Sequence, residues 1–174
     1  MRATRPVKSL GVLLSLCGLT LVHAAALPPG TREALAEFET GATRAGRCAG
    51  DRAVGSRQEI SRFQILPAIW REYSHATNYQ SPDAAWAVAE KILRDREVIF
   101  RRATGREWDA VDLYLMWNAP GAYQRAHWDR AKVSRAVRDR AHRYANLWQS
   151  RARRQVVQVP AGLETDSKNT AAVP

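Results

Sequence analysis

The stretch Trp108–Asn118, which reads WDAVDLYLMWN, decides the fold class of this chain. Its apolar residues occupy nearly every direction around a helix axis instead of a single face. A helix of this kind must be covered by other elements, so the stretch predicts a central buried helix. Pro120 and Gly121 follow directly and are expected to close it.

A long amphipathic helix is predicted upstream of this central helix. Ser81, Pro82 and Asp83 supply an N-cap, a proline at the first helical position and an acid in the first turn. Gly105 ends the helix, which we expect to be the longest of the chain. Its predicted inner face consists of Ala85, Val88, Ala89, Ile92 and Ile99.

A last helix is predicted after a basic connection. Apolar and basic residues separate onto different faces with a helical period. The apolar stripe consists of Val133, Val137, Ala141, Tyr144 and Trp148. The face towards solvent carries Arg135, Arg138 and Arg143. Periodicity is lost after about Arg154, so residues 155–174 are predicted to be a disordered tail.

The first helix of the domain is predicted to follow its N-cap Thr31 and to end at Gly41. Leu35 and Phe38 are expected on its inner face. Residues 41–55 are rich in glycine and poor in apolar side chains, which indicates a long surface loop. Loops of this length usually serve a functional site.

A further helix is predicted from Ser61 or Arg62 to Ser74, with Pro67 near its first turn or at a kink. No segment shows the alternation of polar and apolar residues that is typical of a strand. The sequence therefore predicts an all-α fold with little or no β-structure.

The first residues have the pattern of an export signal. A basic start is followed by the apolar run Leu10–Val22, which is too short to span a bilayer, and then by small residues. We therefore predict that residues 1–26 are a signal peptide, cut after Ala24 or Ala26. The mature protein would be periplasmic or secreted. A leucine directly before Cys17 argues against a lipid anchor.

Composition bounds what the rest of the chain can be. A length of 174 residues with 45% apolar residues suffices for one buried core, so residues 27–154 are predicted to form a single domain and a monomer. The net charge of +10 falls to +7 when Arg2, Arg5 and Lys8 leave with the signal. A charge of this size favours polyanions, which for an exported protein are cell-wall polymers, acidic glycans or anionic lipid. We expect no nucleic-acid partner and no stable membrane anchor. After signal removal only Cys48 remains, which excludes an internal disulfide.

Three short segments are the candidates for chemistry. They are Glu39-Thr40-Gly41, Ser61-Arg62-Phe63-Gln64-Ile65 and Met116-Trp117-Asn118-Ala119-Pro120-Gly121. In this order they resemble the Glu-Ser, Gly-Leu-Met-Gln and Ala-Tyr-Asn-Ala-Gly elements of the lysozyme-like superfamily, in particular soluble lytic transglycosylases and goose-type lysozymes. Tyr144 matches a final tyrosine of that family. The resemblance spans about Ala34–Leu147 and implies a lysozyme-like helical domain with a catalytic cleft.

The chain departs from the family pattern at several positions. Trp117 stands in place of tyrosine, Thr40 in place of serine, and Pro120 lies inside the third element. The loop after Glu39 is also long. These departures concern details of the substrate more than the fold.

The resemblance implies a peptidoglycan lytic transglycosylase that cleaves MurNAc-GlcNAc strands, with Glu39 as its general acid and base. The residues support this role independently. Glu39 lies one turn after Leu35 and at the negative end of its helix, and a cleft would remove water from it. Each of these factors raises the pKa of a carboxyl group, as a general acid requires.

Substrate contacts are expected from the other two segments. The amides of Gln64 and Asn118 suit the hydroxyl and acetamido groups of an amino sugar, and Ser61 belongs to the same binding set. For Asn118 the role of helix cap is an equal alternative. Three aromatic residues are candidates for a sugar-stacking wall, with a place in the core as the alternative. They are Tyr114, Trp117 and Tyr144.

A second carboxylate would decide between mechanisms, because a hydrolase needs a base or a nucleophile across from its acid. Glu59 is the candidate, and we expect it to order the loop before the second segment. It would bond to the loop backbone or pair with a nearby arginine, for which the candidates are Arg52, Arg57 and Arg62. Glu39 would then act alone, as in lytic transglycosylases.

Two alternatives to a lytic transglycosylase stay open. One is a hydrolytic muramidase or chitinase of the same fold. The other is a non-catalytic basic helical domain that binds the cell wall or nucleic acid. The histidines have no metal-ligand spacing and no phosphate-binding glycine loop is present, so we expect neither a metal nor a cofactor.

Overall fold

The computed structural model describes residues 27–157 and consists of helices joined by turns and one long loop. Its α-helices are α1 (Thr31–Thr40), α2 (Pro67–Tyr73), α3 (Pro82–Thr104), α4 (Ala110–Asn118), α5 (Pro120–Arg125) and α6 (Arg135–Val157). Short 3-10 helices cover Ala49–Arg52 and Arg130–Lys132. Within the described range, the β-structure is limited to a bridge between Ile60 and Ile65. The predicted all-α fold class is confirmed.

The predicted signal peptide, residues 1–26, lies outside the described residues, as does the predicted tail from residue 158 onward. Helix α6 continues to Val157, three residues beyond the predicted end of the domain. None of the helices described between residues 27 and 157 combines the length and the apolar character that a membrane crossing requires.

Helix α4 forms the centre of the molecule and packs against α3, α5 and α6. Every residue from Val111 to Trp117 is buried, as the apolar sequence of this stretch predicts. The helix begins at Ala110 because the side chain of Asp109 accepts hydrogen bonds from the amides of Val111 and Asp112. Burial of each large apolar side chain stabilises the fold by about 2 kcal/mol.

The segment after α4 differs from the prediction. Pro120 does not only close α4, because it is also the first residue of α5. Proline is favoured at this position, where its missing N–H would have no partner in any case. The two short helices therefore meet at Ala119.

Helix α3 has the predicted ends. The Ser81 hydroxyl accepts a hydrogen bond from the Ala84 amide, and Gly105 ends the helix in a left-handed conformation with φ of 67°. The inner face is as predicted up to Ile92, but Ile99 is 48% exposed and Phe100 is buried in its place. The buried row follows Leu93, Glu97 and Phe100 and so rotates away from Ile99.

Helix α6 has 23 residues, the same length as α3. Helix α3 was predicted to be the longest helix, but α6 equals it among the described residues. Val133 is buried but lies in the turn before α6. Arg135 and Arg143 are exposed as predicted. Arg138 is half-buried instead, and its guanidinium group donates to the carbonyl oxygens of the preceding turn.

Helix α1 begins one residue earlier than predicted. Gly30, with φ of 80°, occupies the N-cap position, and Thr31 is the first helical residue. The Thr31 hydroxyl donates to the carbonyl oxygen of Pro28, which fixes the entry of the chain. Gly41 ends the helix as predicted, with φ of 70°. Helix α1 packs against α6.

The predicted helix start at Ser61 or Arg62 is wrong. Ile60 and Ile65 exchange two backbone hydrogen bonds of 2.8 and 2.9 Å, so the residues between them form a tight turn. Helix α2 starts only at Pro67. The reason is that proline cannot donate within a helix, and Leu66 before it is held in an extended conformation.

The predicted surface loop, residues 41–55, is anchored to the rest of the domain by a buried ion pair. Asp51 and Arg62 are both buried and form an ion pair of 2.5 Å. The same guanidinium group donates to the carbonyl oxygens of Arg44 and Gly46. Arg62 therefore holds the loop against the turn before α2 and is not a partner of Glu59.

Candidate functional site

All three predicted segments contribute to one open cavity with a volume of about 740 Å³. The predicted residues that line it are Glu39, Glu59, Gln64, Trp117 and Asn118. Helix α1 supplies the first of them, the chain before α2 supplies the second and third, and the end of α4 supplies the others. The fold thus brings residues together that are far apart in the sequence.

The Glu39 carboxyl group lies in the last turn of α1 and is held by two donors. The Tyr114 hydroxyl of α4 donates to Oε1 at 2.8 Å, and Arg140 Nη2 of α6 donates to Oε2 at 3.1 Å. Only 7% of the Glu39 side chain is exposed. The carboxyl group is therefore fixed in orientation at the wall of the cavity.

Burial raises the pKa of Glu39 above its ordinary value. The hydrogen bond from Tyr114 and the charge of Arg140 oppose this rise, and the negative charge of Glu59 adds to it. Burial outweighs the opposing contacts, so Glu39 keeps its proton to higher pH than an exposed glutamate. A carboxyl group in this condition suits proton donation to a bound oxygen.

Arg140 is a site residue that the sequence analysis missed. Its Nε donates to the Tyr114 hydroxyl at 2.6 Å, and its guanidinium group lies 5.3 Å from the centre of the Phe38 ring. It also lines the cavity. The available signal was its spacing, since residue 140 lies four positions before Tyr144 and therefore on the same face of α6.

Glu59 makes the expected hydrogen bond to its own loop. Its Oε2 accepts from the Arg57 amide at 2.8 Å, and its backbone carbonyl accepts from the Gly55 amide at 3.0 Å. Within residues 27–157 it forms no ion pair with any of the three arginines named for it. Its carboxyl group still faces the cavity that Glu39 lines.

Gly55 gives Glu59 and Gln64 their positions. A Cβ atom added at Gly55 would lie 2.2 Å from Glu59 Oε2 and 2.4 Å from Gln64 Oε1. Both distances are far below van der Waals contact, so a larger residue would displace both polar groups. The glycine is needed here for the space beside it.

The two predicted side-chain amides differ in whether their hydrogen-bonding groups are already used within the protein. Gln64 Nε2 donates to the carbonyl oxygens of Ala53 and Ser61 at 3.2 Å each, so this part of the amide is used within the protein. Asn118 is exposed at the end of α4, and the C-cap position belongs to Ala119. The amide of Asn118 is therefore the one available for a ligand.

Three predicted contact residues do not line the cavity. Ser61 is 1% exposed, and its hydroxyl accepts a hydrogen bond from the Phe63 amide inside the turn. Tyr114 and Tyr144 are fully buried and stack on each other with ring centres 4.9 Å apart. Of the three aromatic candidates, only Trp117 reaches the cavity. Tyr114 donates its hydroxyl hydrogen to Glu39 and does not line the cavity.

Comparisons of the chain with protein-family models, curated proteins and solved structures found no match. Among residues 27–157, no group of three or more His, Cys, Asp or Glu side chains is placed to hold a metal ion. The chemistry of this site therefore has to be inferred from its own carboxyl, amide and guanidinium groups.

Proposed function

We propose that this protein cleaves the glycan strands of peptidoglycan as a lytic transglycosylase, with Glu39 as the general acid and base. The observation that carries the proposal is the position of the Glu39 carboxyl group. It is buried, has a raised pKa and lies on the wall of an open cavity that Asn118 and Trp117 also line. The protein would act as an exported monomer.

The proposed reaction needs one carboxyl group in two protonation states. Protonated Glu39 donates its proton to the glycosidic oxygen, and the bond from this oxygen to the muramyl C1 breaks. The C6 hydroxyl of the same sugar then attacks C1 and gives its proton to the Glu39 carboxylate, which closes a 1,6-anhydro ring. The acetamido group of the sugar stabilises the positive centre between these two steps.

The partners of Glu39 support this cycle. Tyr114 and Arg140 donate to the two carboxyl oxygens and so stabilise the carboxylate that forms after the first proton transfer. Because both donors are anchored in helices, they also fix the carboxyl group between the two steps. The proton therefore leaves from and returns to nearly the same place.

A hydrolase is the second candidate, since Glu59 lines the same cavity as Glu39. In that reaction Glu59 would activate a water molecule, and the product would carry a reducing end. The hydrogen bond that Glu59 accepts from the Arg57 amide fixes the orientation of this carboxyl group at the cavity.

Mass analysis of muropeptides released from purified sacculi distinguishes these reactions. We expect 1,6-anhydro products from the wild type and at least a roughly 100-fold lower rate from Glu39→Gln, which keeps the shape of the side chain but cannot transfer the proton. Glu33→Gln is the matched control, because Glu33 lies on the same helix but does not line the cavity.

Each of the other outcomes has a definite meaning. Reducing products would replace the transglycosylase with the hydrolase. Binding of sacculi without any product would favour a non-catalytic wall-binding domain. Turnover near the wild-type rate by a folded Glu39→Gln variant would remove Glu39 from the reaction.

A further inference from the structure

Positive charge dominates the wall of the cavity. Its arginines are Arg57, Arg96, Arg125 and Arg140. Glu39 and Glu59 are the carboxylates that line it. Arg140 pairs with Glu39, but no carboxylate between residues 27 and 157 forms an ion pair with any of the other three arginines. The cavity therefore holds cationic groups that have no ion-pair partner in the described part of the protein, although the negative charge of Glu72 acts on Arg96.

Arg96 is fixed beside the end of α4. Its Nη1 donates to the carbonyl oxygens of Met116 and Trp117 at 2.9 and 3.0 Å. Its guanidinium group also lies 5.7 Å from the centre of the Trp117 ring. These contacts orient the side chain without cancelling its charge. Since a guanidinium group has five N–H donors, Nε and Nη2 are left to bind a further acceptor.

Arg125 lines the same cavity from α5. It is the last residue of α5, and its Nη1 would lie 3.3 Å from a Cβ atom added at Gly121. Arg96 thus binds the last turn of α4, and Arg125 lies in α5, the helix that follows directly. Asn118, the exposed amide of the site, is the last residue of α4 and lines the cavity together with both arginines.

The burial of Arg96 favours the binding of an anion by its guanidinium group. Burial lowers the pKa of Arg96, which means that the charged form is held at some cost. Backbone carbonyl groups offset part of this cost, whereas a carboxylate would offset more because it carries a full opposite charge. The planar guanidinium fork also matches the two oxygens of a carboxylate.

We propose that Arg96 and Arg125 form a carboxylate-binding subsite beside Asn118, so that the preferred glycan strand carries a free carboxylate on the sugar bound there. The inference rests on the proposed function and specifies its substrate. Two sources supply this chemistry in peptidoglycan: the lactyl group of a muramyl residue without a peptide, and the peptide stem itself.

Binding of defined strands tests the subsite. Strands stripped of peptides and strands with peptide stems are each prepared with free carboxyl groups and with the same groups blocked as methylamides. We expect the Glu39→Gln protein, which holds strands without cleaving them, to bind at least one free form about tenfold or more tightly than its blocked form. The strand type that shows this difference identifies the source of the carboxylate.

Variants assign the preference to particular residues. Arg125→Gln should lose the tenfold preference, and Arg125→Lys should keep part of it because the charge remains. Arg143→Gln is the matched control, since Arg143 is exposed on α6 and does not line the cavity. It should keep the full preference. Thermal melts of each variant show whether the fold is intact.

The outcomes separate this inference from the proposed function. Equal binding of free and blocked strands, with cleavage of both by the wild type, overturns the subsite and leaves the function standing. An equal loss in Arg125→Gln and Arg143→Gln also overturns it, because the effect would then be one of general charge. Absence of both binding and cleavage for every strand overturns the function and the subsite together.

Discussion

At the scale of single residues, one of the two hydrogen-bond donors to Glu39 is neutral and the other is charged. Burial and the nearby Glu39 raise the pKa of Tyr114, so its hydroxyl remains a neutral donor. Arg140 is always charged. Both donors stabilise the carboxylate, whereas burial favours the protonated acid. Under the proposed function, a substrate that filled the cavity would exclude water further and so shift this balance towards the acid before proton transfer.

Replacement of Arg140 by glutamine tests this balance. The charge of Arg140 lowers the pKa of Glu39, so its loss should raise that pKa. Because protonated Glu39 is the proposed donor, the alkaline limb of the kcat/KM profile should move to higher pH. The profile on sacculi is compared with that of Arg143→Gln, an exposed neighbour on α6. If the alkaline limb did not move, Arg140 would not control the ionisation of Glu39.

A methyl group at Gly55 tests the fit of the second segment. Gly55→Ala would press on both Glu59 Oε2 and Gln64 Oε1, at an expected cost of about 1–3 kcal/mol and with reduced cleavage. Gly46→Ala is the control, because a Cβ atom there meets nothing within 4 Å. Thermal unfolding and initial cleavage rates are measured on both variants. Similar behaviour of the two would show that the space beside Gly55 is not required.

At the scale of elements, Arg62 makes the most side-chain contacts to the long loop between α1 and α2, and Gln64 adds one to Ala53. Arg62 bonds to Asp51 and to two loop carbonyl groups, and both partners of the ion pair are buried. The loop would otherwise depend on few apolar contacts, since Ala42 is the apolar residue buried between residues 42 and 55. The position of the Glu59 segment relative to α1 therefore depends on this pair, together with the hydrogen bond from the Thr40 hydroxyl of α1 to the Arg62 carbonyl oxygen.

Loss of the Arg62 guanidinium group should be costly. Arg62→Met leaves Asp51 buried without its partner, which should lower the free energy of unfolding by about 3–5 kcal/mol. Arg32→Met removes the partner of Asp83 instead, whose side chain is 87% exposed, and should cost about 1 kcal/mol or less. Urea unfolding gives both values. Amide hydrogen exchange of residues 42–55 should accelerate only in Arg62→Met.

Local sequence signals predicted some element boundaries and not others. Ser81, Pro82 and Gly105 define α3 because each acts on neighbouring residues. The burial of Ser61 depends on the pairing between Ile60 and Ile65. The apolar residues of this segment have a helical spacing, which predicted a helix instead of this pairing. Local patterns therefore describe helices well and the turn between residues 60 and 65 badly.

The candidate site was predictable to a similar degree. Glu39, Trp117 and Asn118 follow from the order of the three segments and do line the cavity. Arg140 and Arg96 were not found, because their partners lie on other helices. Contacts of this kind depend on how helices pack, so the spacing of Arg140 before Tyr144 indicates a shared face of α6 but not the partners of Arg140.

At the scale of the whole molecule, a second charged cluster joins the elements on the far end of α4. Asp112 is fully buried and bonds to Arg106, before α4, at 2.6 Å. It also bonds to Arg130, after α5, at 2.6 Å and accepts from the Tyr123 hydroxyl of α5. One carboxylate thus connects the segments on both sides of the central helix.

The Asp112 cluster should set the acid limit of stability. Burial by itself would raise the pKa of Asp112, but hydrogen bonds from its donors outweigh it and lower the pKa from 3.8 to about 2. A lowered pKa stabilises the fold at pH values above the ordinary pKa of 3.8. This contribution of about 2 kcal/mol is lost as the pH falls from 3.8 through about 2. Glu39 acts with opposite sign, since a raised pKa stabilises the fold at low pH and loses this effect as the pH rises.

Urea unfolding between pH 2 and pH 7 measures this limit. Asp112→Asn should lose about 3 kcal/mol or more at pH 7 and should show a smaller fall in stability below pH 3.8, where the lowered pKa of Asp51 still contributes. Asp139→Asn, which removes an exposed carboxylate on α6, should follow the wild-type curve. An acid transition in Asp112→Asn that matched the wild type would assign the effect to other carboxylates.

The buried hydroxyl of Tyr144 has a consequence for how this chain would respond to selection. It has no hydrogen-bond partner among residues 27–157 and lies beneath the ring of Tyr114, which holds Glu39. An unsatisfied buried polar group of this kind costs about 1–3 kcal/mol. A library of variants selected for folding alone should therefore enrich phenylalanine at position 144. A library selected for glycan cleavage would instead retain tyrosine if the hydroxyl contributes to activity at the expense of stability.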